Sequence, residues 1–168
     1  MLTTTFKLLH QYDACKDRYT VLREALTRGD DEPITLIEIL DSNGLADALW
    51  ALRAVPDEQA AERDKLARLY ACACARQVWH LLTERSRTAV EVSERYAVGA
   101  ATQDELNAAA AYAAADAARA AYAAAHAAAA DAAYAAYAAD ASYAAAAYAS
   151  YAAAARDAQA AKFREMFG

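Results

Sequence analysis

A chain of 168 residues and net charge −6, with 17 Lys and Arg against 23 Asp and Glu, fits one domain, and its scattered bases argue against a partner held by its phosphates. The cysteines number three, behind an N-terminus, MLTTTFKLLHQYD, that lacks the charged start and apolar run of a signal peptide, which points to reduced thiols and a cytoplasmic protein. The Ala-rich second half is interrupted too often by Asp, Arg and His to be a membrane span.

Thr3 to Thr5 offer caps for a first helix through Phe6, Leu8 and Leu9 that ends near Asp13 and Ala14. A second follows Asp17 as cap, packs Tyr19, Val21, Leu22, Ala25 and Leu26, and stops at Gly29. Asp30, Asp31, Glu32 and Pro33 then form an acidic loop, either a solvated charge run or an interaction edge. Ile34 to Leu40 has the β-branching of a strand. Thr35 and Glu38 nevertheless make a capping box, and Ile34 with Ile39 a hydrophobic staple, so local chemistry predicts helix. Gly44 ends it, and Leu45 to Val55 form a further short helix stopped by Pro56. A long helix from about Asp57 to Leu82 turns Leu66, Leu69, Tyr70, Ala73, Val78 and Leu81 inward and is expected at the centre of the fold. Ser86 caps the next helix, with Ala89, Val90, Val92 and Tyr96, and Gly99 ends it. Thr102 with Glu105 forms a second capping box.

That box opens the stretch from Ala108 to Ala161, in which 37 of 54 residues are Ala and seven are Tyr, with no Gly, Pro or branched aliphatic residue. Ala has the best helix propensity but buries little apolar area, so such a helix needs close-packed neighbours. At 100° per residue Tyr112, Asp116, Arg119, Tyr122, His126, Tyr134, Tyr137 and Asp140 share about one third of the circumference, opposite a nearly pure Ala side. Past Asp140 the phase is lost, which predicts a kink or turn at Asp140 to Ser142 in preference to one unbroken helix. Two readings of the Tyr stripe compete. In one the rings fill the core against Leu66, Tyr70 and Trp79. In the other the Ala side packs inward and the Tyr stripe, edged by charged groups that are rarely buried unpaired, faces a partner.

Local signatures of chemistry are absent from the sequence. The four glycines form no phosphate-cradling loop. His10, His80 and His126 are isolated, and Cys72 and Cys74, two apart on a helix, point about 200° from each other and cannot grip one metal ion. No nucleophile has a base fixed beside it. These patterns argue for a non-enzymatic protein without cofactor or metal.

The runs ITLIEILDSNGLADALWALRAV, Ile34 to Val55, and LARLYACACARQVWHLLTERSRTAVEVSERYAVGAATQDELNAAA, Leu66 to Ala110, resemble an Ala-rich helical family of poorly characterised phage and bacterial proteins. Some of its members are labelled immunity proteins. The likeness covers about half the chain and brings no catalytic residues to carry over. It implies a small phage or defence-related protein that works by binding.

The expectation is therefore an all-α fold with no sheet, a single-domain multi-helix bundle over 1–168. Short helices should build residues 1–101, and long Ala/Tyr-rich helices residues 102–168. The expected function is that of a protein-binding inhibitor, either a phage anti-defence (anti-CRISPR-like) factor or an immunity protein, occupying a surface of a bacterial defence component or toxin as a monomer or small homo-oligomer. Candidate binding residues are the stripe from Tyr112 to Asp140 and the loop residues Asp30, Asp31 and Glu32. A self-associating structural protein is the alternative. A DNA mimic is less favoured, because Asp116, Asp131, Asp140 and Asp157 are too sparse to copy phosphate spacing.

Overall fold

The computed structural model describes residues 1–113 and 141–168, with side chains at 1–80, 82–113 and 154–168. The architecture is helical, with a single two-stranded ladder among the described residues. Backbone contacts divide the chain into two compact units, Met1–Ala71 with Ala158–Gly168, and Cys72–Asp157.

The first unit opens with β1 (Thr3–Thr4), α1 (Phe6–Gln11) and α2 (Lys16–Ala25). Thr5 caps α1 by accepting from the Leu8 amide, and Phe6 and Leu9 turn into the core at 0% and 3% exposure. Asp13 sits at φ 60°, the left-handed position that Asp tolerates better than most residues. The Ala14 amide reaches back to the Leu9 carbonyl at 3.0 Å, which closes the C-terminus of α1 as a Schellman turn. Two boundaries differ from the sequence reading. α2 starts before Asp17, which lies in its first turn behind Cys15, where a carboxylate favours the positive end of the helix dipole. The helix leaves at Leu26 through extended backbone, so Gly29 does not terminate it. Within α2 Leu22 is buried, whereas Val21 and Ala25 are exposed.

The expectation of no sheet is corrected at Ile34. β2 (Ile34–Thr35) pairs antiparallel with β1 in the register Thr3 to Thr35 and Thr4 to Ile34. An N-cap residue takes extended dihedrals, as Thr35 does at φ −77° and ψ 152°, so the residues that begin a helix are also shaped to pair a strand. α3 (Leu36–Asn43) then starts behind the full Thr35 and Glu38 capping box, with Ile34 and Ile39 both buried. Gly44, at φ 88°, ends α3 and leads into α4 (Leu45–Ala51). A 3-10 turn at Leu52–Ala54 follows before Pro56. Gln59 bonds both the amide and the hydroxyl of Thr3, and the buried Thr4 hydroxyl donates to the Ala54 carbonyl at 2.6 Å.

The helix expected at the centre of the fold is shorter than its hydrophobic pattern suggests. α5 runs Ala60–Gln77, and the chain breaks at Val78 before a 3-10 turn at Trp79–Leu81. Tyr70 is buried, but Val78 is 43% exposed. The Leu81 side chain lies outside those described. α6 (Glu84–Ala97) is capped by the Thr83 hydroxyl, not by Ser86, whose amide is the donor to it. Gly99, at φ 76°, closes α6 with the Ala100 amide on the Arg95 carbonyl. Residues 103–113, called α7, are helical as far as described. α8 is Ala141–Phe167, and the expected break at Asp140 to Ser142 begins outside the described residues.

Candidate functional site

Of the candidate tyrosine stripe, Tyr112 alone lies among the described residues, near the end of residues 103–113 of α7. Thr102 and Glu105 close the capping box predicted for them. The Thr102 amide donates to Glu105 Oε2 at 2.7 Å, and the Glu105 amide donates to Thr102 Oγ1 at 3.2 Å. The backbone hydrogen bond from Thr102 is the largest influence on Glu105 and holds its carboxyl below the ordinary range. Arg95 stands 3.7 Å from the same carboxylate, and Gln103 accepts from the Tyr96 hydroxyl at 2.7 Å. This polar lacing fixes the start of α7. Beyond it Ala109 is buried at 8% exposure, while Tyr112 is 63% exposed. At this position the tyrosine does not fill the core. Asp116, Arg119, Tyr122, His126, Tyr134, Tyr137 and Asp140 lie outside the described residues.

The acidic loop is less free than its charge run suggests. Asp30 pairs with Arg23, whose guanidinium also lies over the Phe6 ring at 4.3 Å. Asp31 pairs with Lys7 at 3.0 Å, and the Lys7 amide donates to the Asp30 carbonyl. Glu32 is exposed. Two of the three carboxylates are thus spent on bases of α1 and α2, and a partner would meet a nearly balanced surface there.

Among the described residues no group of three His, Cys, Asp or Glu is placed to hold a metal ion, and no helix is long and apolar enough to cross a membrane. His10 and His80 are exposed. Cys72 is buried, with its thiol 3.8 Å from the Val90 carbonyl, and Cys15 is exposed.

No family model, curated protein or solved structure matches this chain.

Two arrangements escaped sequence reasoning. In the second unit the guanidiniums of Arg76 and Arg87 both lie over the Trp79 ring, at 4.1 and 5.6 Å from its centroid, with Arg76 also bonded to Glu94 at 2.6 and 2.9 Å. In the first unit a cleft of about 260 Å³ opens between α1, α2, α3 and α4. At its rim Arg18 and Asn43 both donate to Asp47 at 2.8 Å. The available signal was weak in each case. Asn43 ends α3 and Asp47 lies in the first turn of α4, and their arginine comes from α2.

Proposed function

We propose that this chain is a non-enzymatic inhibitor that works by covering a surface of another protein, a bacterial defence component or a toxin. The observation that carries the reading is Tyr112, 63% exposed on a helix whose neighbouring Ala109 is buried. A rigid ring in solvent, on a helix anchored by a capping box, offers large contact area at low entropic cost. The same stripe in the sequence continues through Tyr122, Tyr134 and Tyr137 with Asp116, Arg119, His126 and Asp140 beside them, the mixture of aromatic and charged groups that suits a protein partner. The resemblance to Ala-rich phage and bacterial proteins, some labelled immunity proteins, supports an anti-defence or antidote role over a purely structural one.

The test is capture from bacterial lysate with the full chain and with a Tyr112→Ala, Tyr122→Ala double variant. One protein should be retained in stoichiometric amount and lose its own activity when the purified chain is added. Both effects should vanish in the double variant while its circular dichroism is unchanged. Capture at full strength by a correctly folded double variant would remove the tyrosine face from the account. A chain that assembles with itself into a large oligomer and retains no partner would favour the structural reading.

A further inference from the structure

The cleft between α1 and α4 belongs to the first unit, and its walls have a chemistry of their own. Leu9, Leu22 and Ile39 form a floor that is almost wholly covered by protein, at 2 to 3% exposure. Trp50 also lines the cleft. The space exists because Ala14, Ala46 and Ala51 stand where larger side chains would fill it. Apolar walls give water few partners, so a molecule that displaces it is favoured.

Size and charge narrow the occupant. The cleft is about 260 Å³, between the ~150 Å³ of an apolar cavity that takes one benzene ring and the ~300 to 1,000 Å³ of pockets for drug-sized ligands. One or two fused rings fit. The rim is polar but self-satisfied. Arg18 Nε and Asn43 Nδ2 both donate to Asp47 Oδ2, Arg18 also donates to the Asn43 carbonyl, and Asn43 Nδ2 donates back to the Arg18 carbonyl. With cation and anion paired to each other, a charged ligand gains nothing at this rim and loses hydration. Cys15, exposed, lies at the edge of the cleft and reports on its occupancy.

We infer that this cleft is a binding site for a small neutral aromatic molecule of one or two fused rings, seated between Trp50 and the Leu9, Leu22 and Ile39 floor under the Arg18, Asn43 and Asp47 rim.

Indole serves as the probe, titrated calorimetrically into the full chain. Saturable one-to-one binding is expected, and indole-3-acetate, which adds a carboxylate, should bind at least tenfold more weakly. Ala46→Phe, at an exposed position on the cleft wall, should abolish binding with circular dichroism and melting unchanged. A second readout needs no variant. Saturating indole should slow alkylation of Cys15 severalfold, followed by peptide mass spectrometry, and leave Cys74 unaffected. Absence of saturable indole binding, equal binding of the anion, or an unprotected Cys15 would each overturn the assignment. So would a dimer of the wild-type chain that dissociates on Ala46→Phe, since the occupant would then be a second copy.

Discussion

Tyr70 and Phe163 meet edge to face, with ring centroids 5.5 Å apart and planes at 83°, and the Tyr70 hydroxyl donates to the Gln159 carbonyl at 3.2 Å. Phe163 stacks in turn on Phe167 at 4.3 Å. Both phenylalanines are buried, at 0% and 2% exposure, and Arg164 pairs with Asp41 beside them. The end of the chain is therefore part of the core of the N-terminal unit. Phe163→Ala should cost ~3 to 5 kcal/mol, the usual cost of truncating a buried aromatic, measured by urea unfolding. A loss under about 1 kcal/mol would mean that the rings do not hold the unit together.

Acid should weaken the same unit through Glu38. Burial pushes its carboxyl up, but hydrogen bonds from the Thr35 backbone and hydroxyl, together with Arg28, outweigh this and hold it below its ordinary value of 4.5. The folded state then binds fewer protons than the unfolded chain in the window between the two values. Stability therefore rises with pH across that window, is in full force above it, and is lost as pH falls through the folded value. Glu94, held down chiefly by its hydrogen bond from Arg76, has the same sign. At neutral pH Glu38→Gln should lower stability by ~0.3 to 1.5 kcal/mol, the worth of a capping interaction. Melting curves at successive pH values should show the gap between variant and wild type closing as the carboxylate range is crossed downward.

Trp79 should report on Arg76. Removing the guanidinium in Arg76→Met takes away both the cation over the ring and the Glu94 pair, so the Trp79 emission should shift in a Trp50→Phe background. The energetic cost should stay small. Exposed ion pairs contribute ~0.2 to 1 kcal/mol, and Glu94→Gln should fall in that range and shrink further in high salt. An unchanged emission spectrum would count against the stacked arrangement.

Tyr112→Ala should leave the melting temperature almost unmoved, because exposed substitutions away from special features stay within ~0.5 kcal/mol. A core tyrosine would cost ~3 to 5 kcal/mol. Differential scanning calorimetry separates the two outcomes directly.

Cys72→Ala should destabilise by ~1 kcal/mol through a small cavity under the Val90 carbonyl, with no change in metal content. Stoichiometric zinc in the wild-type protein that disappears in the variant would contradict this.

Several features were legible in the order of residues alone. Thr35 with Glu38, Thr102 with Glu105, Gly44 and Gly99 all act where their patterns place them, because capping joins groups three or four residues apart and needs no distant neighbour. The helical class follows from those signals and from the spacing of apolar residues. Thr83 took the place of Ser86 as the cap of α6, a slip of three residues between two hydroxyls that both satisfy the local rule.

Tertiary structure decided the rest. Ile34 and Thr35 carry a helix start in their local chemistry, and only the arrival of Thr3 and Thr4 alongside makes them a strand. Val78 continues a helical hydrophobic pattern, yet the chain turns there and the Trp79 carbonyl accepts from Arg87 of α6. The docking of Phe163 and Phe167 on Tyr70, and the Arg18 bridge to Asp47, join segments whose distance in sequence leaves no periodic trace. Short-range hydrogen bonds are written into neighbouring residues. Packing contacts depend on which surfaces remain to be covered once every helix has formed, and that is a property of the folded chain.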